Sequence, residues 1–415
     1  MIYGKAPSGV LYAVKRSSSP VGYCSLSIRC GTRNEEGYHC GIAHFTEHTI
    51  FKGTSRKSSA VINGYLDRLG GDLNAYTAKE EIVLHSTVLK EDLHKAMSLL
   101  LELATSPVFP ESEVETEKGV VIEEIRSYKD SPADDVYDKF EGMIFEGHPL
   151  ERPILGTAES VKKITPAELR RFVSEKFLPE SMALAVVADF DEALLEKKLL
   201  RLLEKFFPDY APGSPVAGVK PVGPSYRLPE LRIFDKSLEK RNHEVNAVFG
   251  ALAPSLYEER ERLSAVLLGN ILAGPASNSI LNGVLREKNG WVYGVETSYT
   301  QYADCGVMAI LIGCERRNLD KCRKAIRREL DRLIADPLSP ARLKAAKKQL
   351  LGQLAISSDN GESQCQSMGK SLLSFGKLSE DGQVRRQIEA LTGEDIRMAA
   401  ERIFAPEKMS ALIYL

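Results

Sequence analysis

The sequence predicts an α+β protein of two related domains, each a mainly antiparallel β-sheet packed with α-helices, and three features carry that prediction. In each half, strand-like segments and helical segments come in blocks instead of alternating as βαβ units. A segment near the end of the first half recurs near the end of the second. Thr165-Pro-Ala-Glu-Leu-Arg170, with Phe177, Pro179, Glu180 and Met182, is matched by Thr392-Gly-Glu-Asp-Ile-Arg397, with Phe404, Pro406, Glu407 and Met409, at one constant offset. Each copy reads as a capped helix running into an apolar strand, Ala183–Val187 in one and Ala411–Tyr414 in the other. Between the halves, residues 207–229 are rich in proline and glycine and lack periodicity, as suits a linker. The expected domains are therefore 1–206 and 230–415.

In order, Val10–Lys15 and Val21–Arg29 read as strands joined by a turn at Ser17-Ser18-Ser19-Pro20. Gly41–Lys52 and Ser58–Leu69 read as amphipathic helices, the second stopped by Gly70-Gly71. Two extended segments follow, Asp72–Thr77 and Ile82–Leu89, then helices over Lys90–Ala104, Glu111–Lys129 and Ala133–Ile144. The second half repeats the plan. A strand at Val245–Leu252 leads to helices at Tyr257–Leu272 and Ser279–Lys288, and strands at Val292–Tyr299 and Gly306–Ile312 lead to helices at Asn318–Ala335, Ala341–Ala355 and Gln364–Phe375.

At 415 residues the chain is too long for one ordinary core, and its 43% apolar and 27% charged residues are those of a globular protein. A formal net charge of -2 gives no basic field for nucleic acid and no polybasic anchor for a membrane. The seven cysteines are odd in number and lack Cys-x-x-Cys spacing, which argues against a disulfide scaffold or a thiolate metal site. With no signal-like first segment and no apolar run of bilayer length, the expected location is the cytoplasm.

The chemistry concentrates at His44-Phe-Thr-Glu-His48. On a helix, residues four apart share a face, so His44 and His48 present two imidazoles to one point, which is how a helix chelates zinc. Glu47 reaches the same face and is placed to take a proton from water. This is the zincin motif in reverse order. Downstream, Glu117 and Glu124 lie two turns apart on one helix face; one can bind metal and the other support it. His85, His94 and His148 lack a partner at helical spacing and read as structural, and His39 lies off the face of His44.

These residues resemble the pitrilysin, insulin-degrading enzyme and mitochondrial processing peptidase superfamily of inverzincin metallopeptidases, in its short two-domain bacterial form. The family's His-x-x-Glu-His is followed at about 75 residues by a ligand glutamate, and Glu124 stands at that distance. The resemblance continues through Phe51-Lys52-Gly53-Thr54, Gly70–Thr77, His148-Pro149 and Gly156-Thr157, and in the second half at Leu285-Arg-Glu-Lys-Asn-Gly-Trp-Val-Tyr293. It implies one Zn2+ per chain on His44, His48 and Glu124, with Glu47 as base and Glu117 orienting a ligand histidine. It further implies an extended peptide held at Asn74 and Ala75, and substrate contacts from Arg286 and Tyr293. Ile280 and Trp291 depart from the family pattern, in the region of the substrate pocket.

The implied activity is zinc-dependent endopeptidase action on peptides or short unfolded polypeptides within a closed chamber. The alternative is a catalytically silent partner subunit, a class that usually loses the base or a ligand, all of which stand here. Two domains make half of the four-domain chamber of larger relatives, so a homodimer is the expected completion.

Overall fold

The computed structural model describes residues 1–208, 233–240, 244–380 and 382–415, without the side chain of Leu66. Most of the expected linker, and His243, lie outside the described residues. In chain order the elements are β1 (Ile2–Lys5), β2 (Leu11–Arg16), β3 (Val21–Ile28), α1 (Ile42–Ile50), α2 (Ser59–Asp67), β4 (Asp72–Thr77), β5 (Ile82–Leu89), α3 (Leu93–Thr105), α4 (Glu111–Lys129), α5 (Pro132–Ile144), α6 (Ala158–Lys163), α7 (Pro166–Lys176), β6 (Met182–Ala188) and α8 (Glu192–Phe206). The second half adds β7 (Asp235–Leu238), β8 (Val245–Ala253), α9 (Glu259–Ala273), β9 (Val292–Gln301), β10 (Gly306–Cys314), α10 (Leu319–Ala335), α11 (Pro340–Ser357), α12 (Gly361–Phe375), α13 (Gln383–Ala390), α14 (Gly393–Phe404) and β11 (Ser410–Tyr414).

Two sheets form, in the orders β1-β2-β6-β3-β5-β4 and β7-β11-β8-β10-β9. Each contains a single parallel pair, β2 with β6 and β7 with β11, and is otherwise antiparallel. The α+β reading with two related domains therefore holds. The sequence repeat maps onto the two central strands and their preceding helices. Thr165 caps α7 by accepting from Glu168 N, and Thr392 caps α14 by accepting from Asp395 N. Each helix hands the chain through a short turn to β6 or β11, whose residues are all buried.

The expected turn at 17–20 does not make β2 and β3 neighbours. β6, apolar on both faces, inserts between them, parallel to β2 and antiparallel to β3. The helix expected over Ser279–Lys288 is a π-helical stretch, Asn282–Glu287.

The division into units also departs from the contiguous domains expected. The first unit contains Met1–Arg126, the chain from Arg152 through α8, and Ile356–Ser379; the second contains Ser127–Glu151, the chain from β7 to Ala355, and Glu380–Leu415. Helix α5 thus belongs with the second sheet and α12 with the first. Each sheet has one face covered by its own helices and one covered by this exchanged helix. Leu11, Ala13, Ala183, Ala185 and Val187 pack against Cys365, Met368, Leu372 and Leu373 of α12. Val248, Val307, Ala309 and Leu412 pack against Val136, Phe140 and Ile144 of α5. At about 1.5–3 kcal/mol for each large apolar side chain removed from water, neither sheet face is stable bare. A sheet apolar on both faces has to recruit a helix, and sequence order does not dictate which one.

Candidate metal centre

Helix α1 places the two histidines. Ile42, Ala43, Phe45, Thr49 and Ile50 are buried against the first sheet, which fixes the rotation of the helix and turns His44, Glu47 and His48 to its opposite side. The helix starts at Gly41, whose φ of +88° is a left-handed conformation, and a Cβ there would stand 2.8 Å from Gly156 Cα. Its first amide groups are satisfied by Glu35, a residue with no exposed surface: Gly41 N and Ala43 N each donate to one of its carboxylate oxygens at 3.0 Å. Burial lifts the Glu35 pKa to about 8, against the downward pull of these two amides, Arg152 and Lys79. Each oxygen accepts one amide at the positive end of the helix dipole, which is what lowers the pKa from the value burial alone would give. Arg152 fastens the same residue by donating to its backbone oxygen at 2.6 Å.

Helix α4 brings in the carboxylates. Glu124 Oε1 lies 3.8 Å from His44 Nε2, and Glu124 Oε2 lies 3.4 Å from His48 Nε2. Ligand atoms on a tetrahedral zinc with bonds of 2.0–2.1 Å are about 3.3 Å apart, so the three side chains stand close to coordinating positions. One turn-pair earlier, Glu117 Oε1 lies 2.9 Å from His48 Nδ1, and its other oxygen takes Lys52 Nζ at 2.6 Å. Burial alone would raise the Glu117 pKa, but the hydrogen bonds from His48 and Lys52 outweigh it and hold the carboxyl low. Glu47 Oε2 accepts from Thr77 Oγ1 of β4 at 3.0 Å. Burial and the Glu124 charge raise the Glu47 pKa against the opposing pull of His48 and Thr77.

The donor set fits a divalent cation. With His48 Nδ1–H given to the Glu117 carboxylate, its Nε2 presents a lone pair toward Glu124, and acceptor faces acceptor. Glu124 Oε2 is buried without a hydrogen-bond partner among the described residues. Burial drives the His44 pKa down to about 3, reinforced by His48, so His44 stays neutral as a ligand must. His48 is pressed down by burial but pulled up more strongly by Glu117, Glu47 and Glu124, a measure of how much positive charge this corner attracts. A cation between the two Nε2 atoms and Glu124 satisfies all three ligands at once. Among the described residues, this is the one cluster of three such side chains with ligand atoms within 4.8 Å of one another.

The structure thus gathers His44, Glu47, His48, Glu117 and Glu124. Sequence reasoning missed Glu35, Lys52 as the partner of Glu117, and Thr77; Glu35 left only the faint signal of an acid ahead of a helix start. Asn74 and Ala75 lie on β4, the last strand of the first sheet, paired with His85 and Leu84 of β5. Arg286 and Tyr293 belong to the second unit, both exposed, Arg286 in the π-helical stretch and Tyr293 at the start of β9. Tyr293 lines a cavity of about 480 Å³ with Tyr128, Asp134, Tyr137, Glu244 and Glu296. Of the departing residues, Ile280 lines a separate 160 Å³ cavity, and Trp291 lies under Lys321 Nζ, 5.8 Å from its ring centroid. None of the seven cysteines forms a disulfide, and no helix among the described residues is long and apolar enough to cross a membrane.

Comparison with known proteins gives the family. The family model described as Insulinase (Peptidase family M16) matches residues 11–158, and the one described as Peptidase M16 inactive domain matches residues 163–350. An uncharacterized zinc protease of Mycobacterium bovis is 30% identical over 388 residues, covering 93% of this chain and 86% of the relative. One from Bacillus subtilis is 29% identical over 386 residues, covering 93% and 91%. Among solved structures, a protease from Helicobacter pylori superimposes with a TM-score of 0.89 at 20% identity, covering 100% of this chain and 98% of the other. A peptidase M16 inactive domain from Pseudomonas fluorescens gives 0.88 at 18% identity, covering 100% and 97%. At these identities, the two structural likenesses speak to fold alone.

Proposed function

The chain belongs to peptidase family M16, and from that premise we propose that it is a zinc-dependent endopeptidase acting on peptides or short unfolded polypeptides, with one Zn2+ per chain held by His44, His48 and Glu124. The observation that carries this reading is the convergence of His44 Nε2, His48 Nε2 and both Glu124 oxygens beside a Glu47 held by Thr77.

When bound, zinc supplies Lewis acidity that makes water nucleophilic near neutral pH and polarises a peptide carbonyl. The chain's own residues do the rest. Glu47, with Oε2 engaged by Thr77, offers Oε1 to receive the proton of the attacking water and returns it to the departing amine. Its raised pKa suits a group that must take up and release a proton. Glu117 holds the tautomer and orientation of His48 and is itself held by Lys52. The free edge of β4 offers backbone groups to an extended peptide, with Asn74 and Ala75 alongside it.

A homodimer is part of this reading, with Arg286 and Tyr293 of one protomer serving the metal centre of the other. Each chain carries both halves of the required set, so no second gene product is needed. The silent-subunit alternative gains no support, because the base and all three ligands are present. The deciding experiment is digestion of a peptide library by metal-loaded and chelator-stripped protein, with mass spectrometry of the products. Cleavage that depends on metal supports the reading, and metal-loaded protein that cuts nothing rejects it.

A further inference from the structure

The two faces of β4 look onto different surroundings. Leu73, Ala75 and Thr77 turn toward the main core and α1. Asn74 and Tyr76 have the opposite parity and turn toward α12, the helix contributed from late in the chain. Asn74 stands opposite His85, and His85 opposite Ser25, whose hydroxyl meets Cys365 of α12 at 3.4 Å. His85 Nδ1 lies 2.6 Å from Glu362 Oε1, and Gln366 Nε2 lies 3.4 Å from the same oxygen. Both contacts fall on Oε1, and the side chain of Glu362 is 38% exposed, which leaves Oε2 to an incoming group. The other charges on this ledge answer one another: Lys370 Nζ lies 3.0 Å from Glu81 Oε1, and Glu81 also takes the hydroxyl of Tyr76.

Resting on the peptidase reading, we propose that Glu362 forms a specificity subsite on α12 for a lysine or arginine side chain, at the substrate position opposite Asn74 when a peptide adds as the next strand beside β4. Directly opposed residues in a sheet point to the same face, so that side chain projects over the α12 ledge. Its Cα stands two strand spacings, about 10 Å, from that of His85, the residue that Glu362 contacts. The long stem of lysine or arginine spans the gap, and a short polar side chain does not. The Tyr76 ring, 6.4 Å from that of His85, flanks the path and offers an aromatic face to a cation. Burial lowers the His85 pKa against the opposing effect of Glu362, so at neutral pH His85 donates to the carboxylate without cancelling its charge.

The test uses peptides that differ only in lysine against norleucine at each position in turn. Two readouts are taken: kcat/KM with metal-loaded protein, and binding of the labelled peptides to metal-loaded Glu47→Gln protein. One position should favour lysine by roughly fivefold, the worth of a partly exposed charge pair. Glu362→Gln should bring that ratio near one, and Glu362→Lys should invert it in favour of norleucine. Cleavage with no such preference, or with a preference indifferent to Glu362, overturns the subsite and leaves the peptidase reading standing. Binding that follows Glu362 without any cleavage keeps the subsite and removes the peptidase reading. Neither binding nor cleavage removes both.

Discussion

His48 Nδ1 lies 2.9 Å from Glu117 Oε1, and this contact between α1 and α4 decides which nitrogen of the ring is left for a metal. Glu117→Ala should therefore keep the fold while weakening zinc affinity or turnover about 10–100-fold, the usual effect of losing a carboxylate behind a ligand histidine. Lys52→Met should do the same more weakly, because it frees Glu117 without removing it. Zinc content at graded chelator concentrations, with turnover measured alongside, checks both. Equal zinc and equal turnover in Glu117→Ala would discard the role.

Glu47→Gln separates chemistry from binding. The amide can still accept from Thr77 and fill the same space, but it cannot take a proton. The variant should bind zinc like the parent and lose peptidase activity by at least about 100-fold, at the low end for removal of a general base. His44→Ala and Glu124→Ala should lose the zinc itself. A Glu47→Gln protein that cleaves at the parent rate would sink the assignment.

The parts of the site that sit on one helix were legible, because the 3.6-residue period alone brings His44 and His48 to one face and puts Glu117 in line with Glu124. The repeat at Thr165 and Thr392 likewise announced α7-β6 and α14-β11 through local capping chemistry. What escaped was set by contacts distant in sequence. Nothing near Glu362 says that α12 covers the first sheet, since a Cys365-Met368-Leu372 stripe fits any apolar face. β1 and β7 are four-residue strands with mostly exposed or half-exposed side chains, too weakly patterned to register. The amphipathic α8, with Leu195, Leu199, Leu202 and Leu203 buried, was within reach of periodicity and was absent from the expectation.

Glu35 ties the start of α1 to the rest of the first unit. Glu35→Ala leaves the amides of Gly41 and Ala43 without acceptors in a closed interior and removes the ion pair of Arg152 Nη1 with Glu35 Oε2 at 3.8 Å. The loss should be about 2–4 kcal/mol of stability, more than an ordinary exposed cap. Because the lost bonds define where α1 begins, zinc affinity should fall as well. Thermal unfolding with and without zinc tests this: the zinc-induced rise in Tm should shrink in Glu35→Ala. A variant with parent Tm and parent zinc affinity would show that the cap is idle.

If Arg286 and Tyr293 serve the partner's metal centre, two inactive proteins should rescue one another. Glu47→Gln mixed with Tyr293→Phe under free exchange makes half of all dimers mixed. Each mixed dimer carries both lesions in one site and none in the other, so roughly a quarter of parental activity should return. No recovery, with exchange confirmed by differential labelling, would mean that Tyr293 acts within its own chain or has no catalytic part.

The acid limit of stability in the second unit should reflect Asp395. Arg260 holds this carboxylate with two bonds, Nε to Oδ1 at 2.8 Å and Nη2 to Oδ2 at 2.7 Å, while Thr392 gives both its amide and its hydroxyl to Oδ2 at 2.6 Å. Burial pushes the Asp395 pKa up, but the arginine and threonine donors together pull it below the ordinary value of 3.8. A carboxyl whose pKa is lower in the folded chain than in the unfolded one stabilises the fold above the unfolded value. That contribution drains away as pH falls through the folded value. The parent should therefore exceed Asp395→Asn in Tm by a constant margin above pH 5, and the two curves should converge as pH drops below about 4. A margin unchanged down to pH 2 would show that Asp395 contributes through shape and neutral hydrogen bonds and not through its charge.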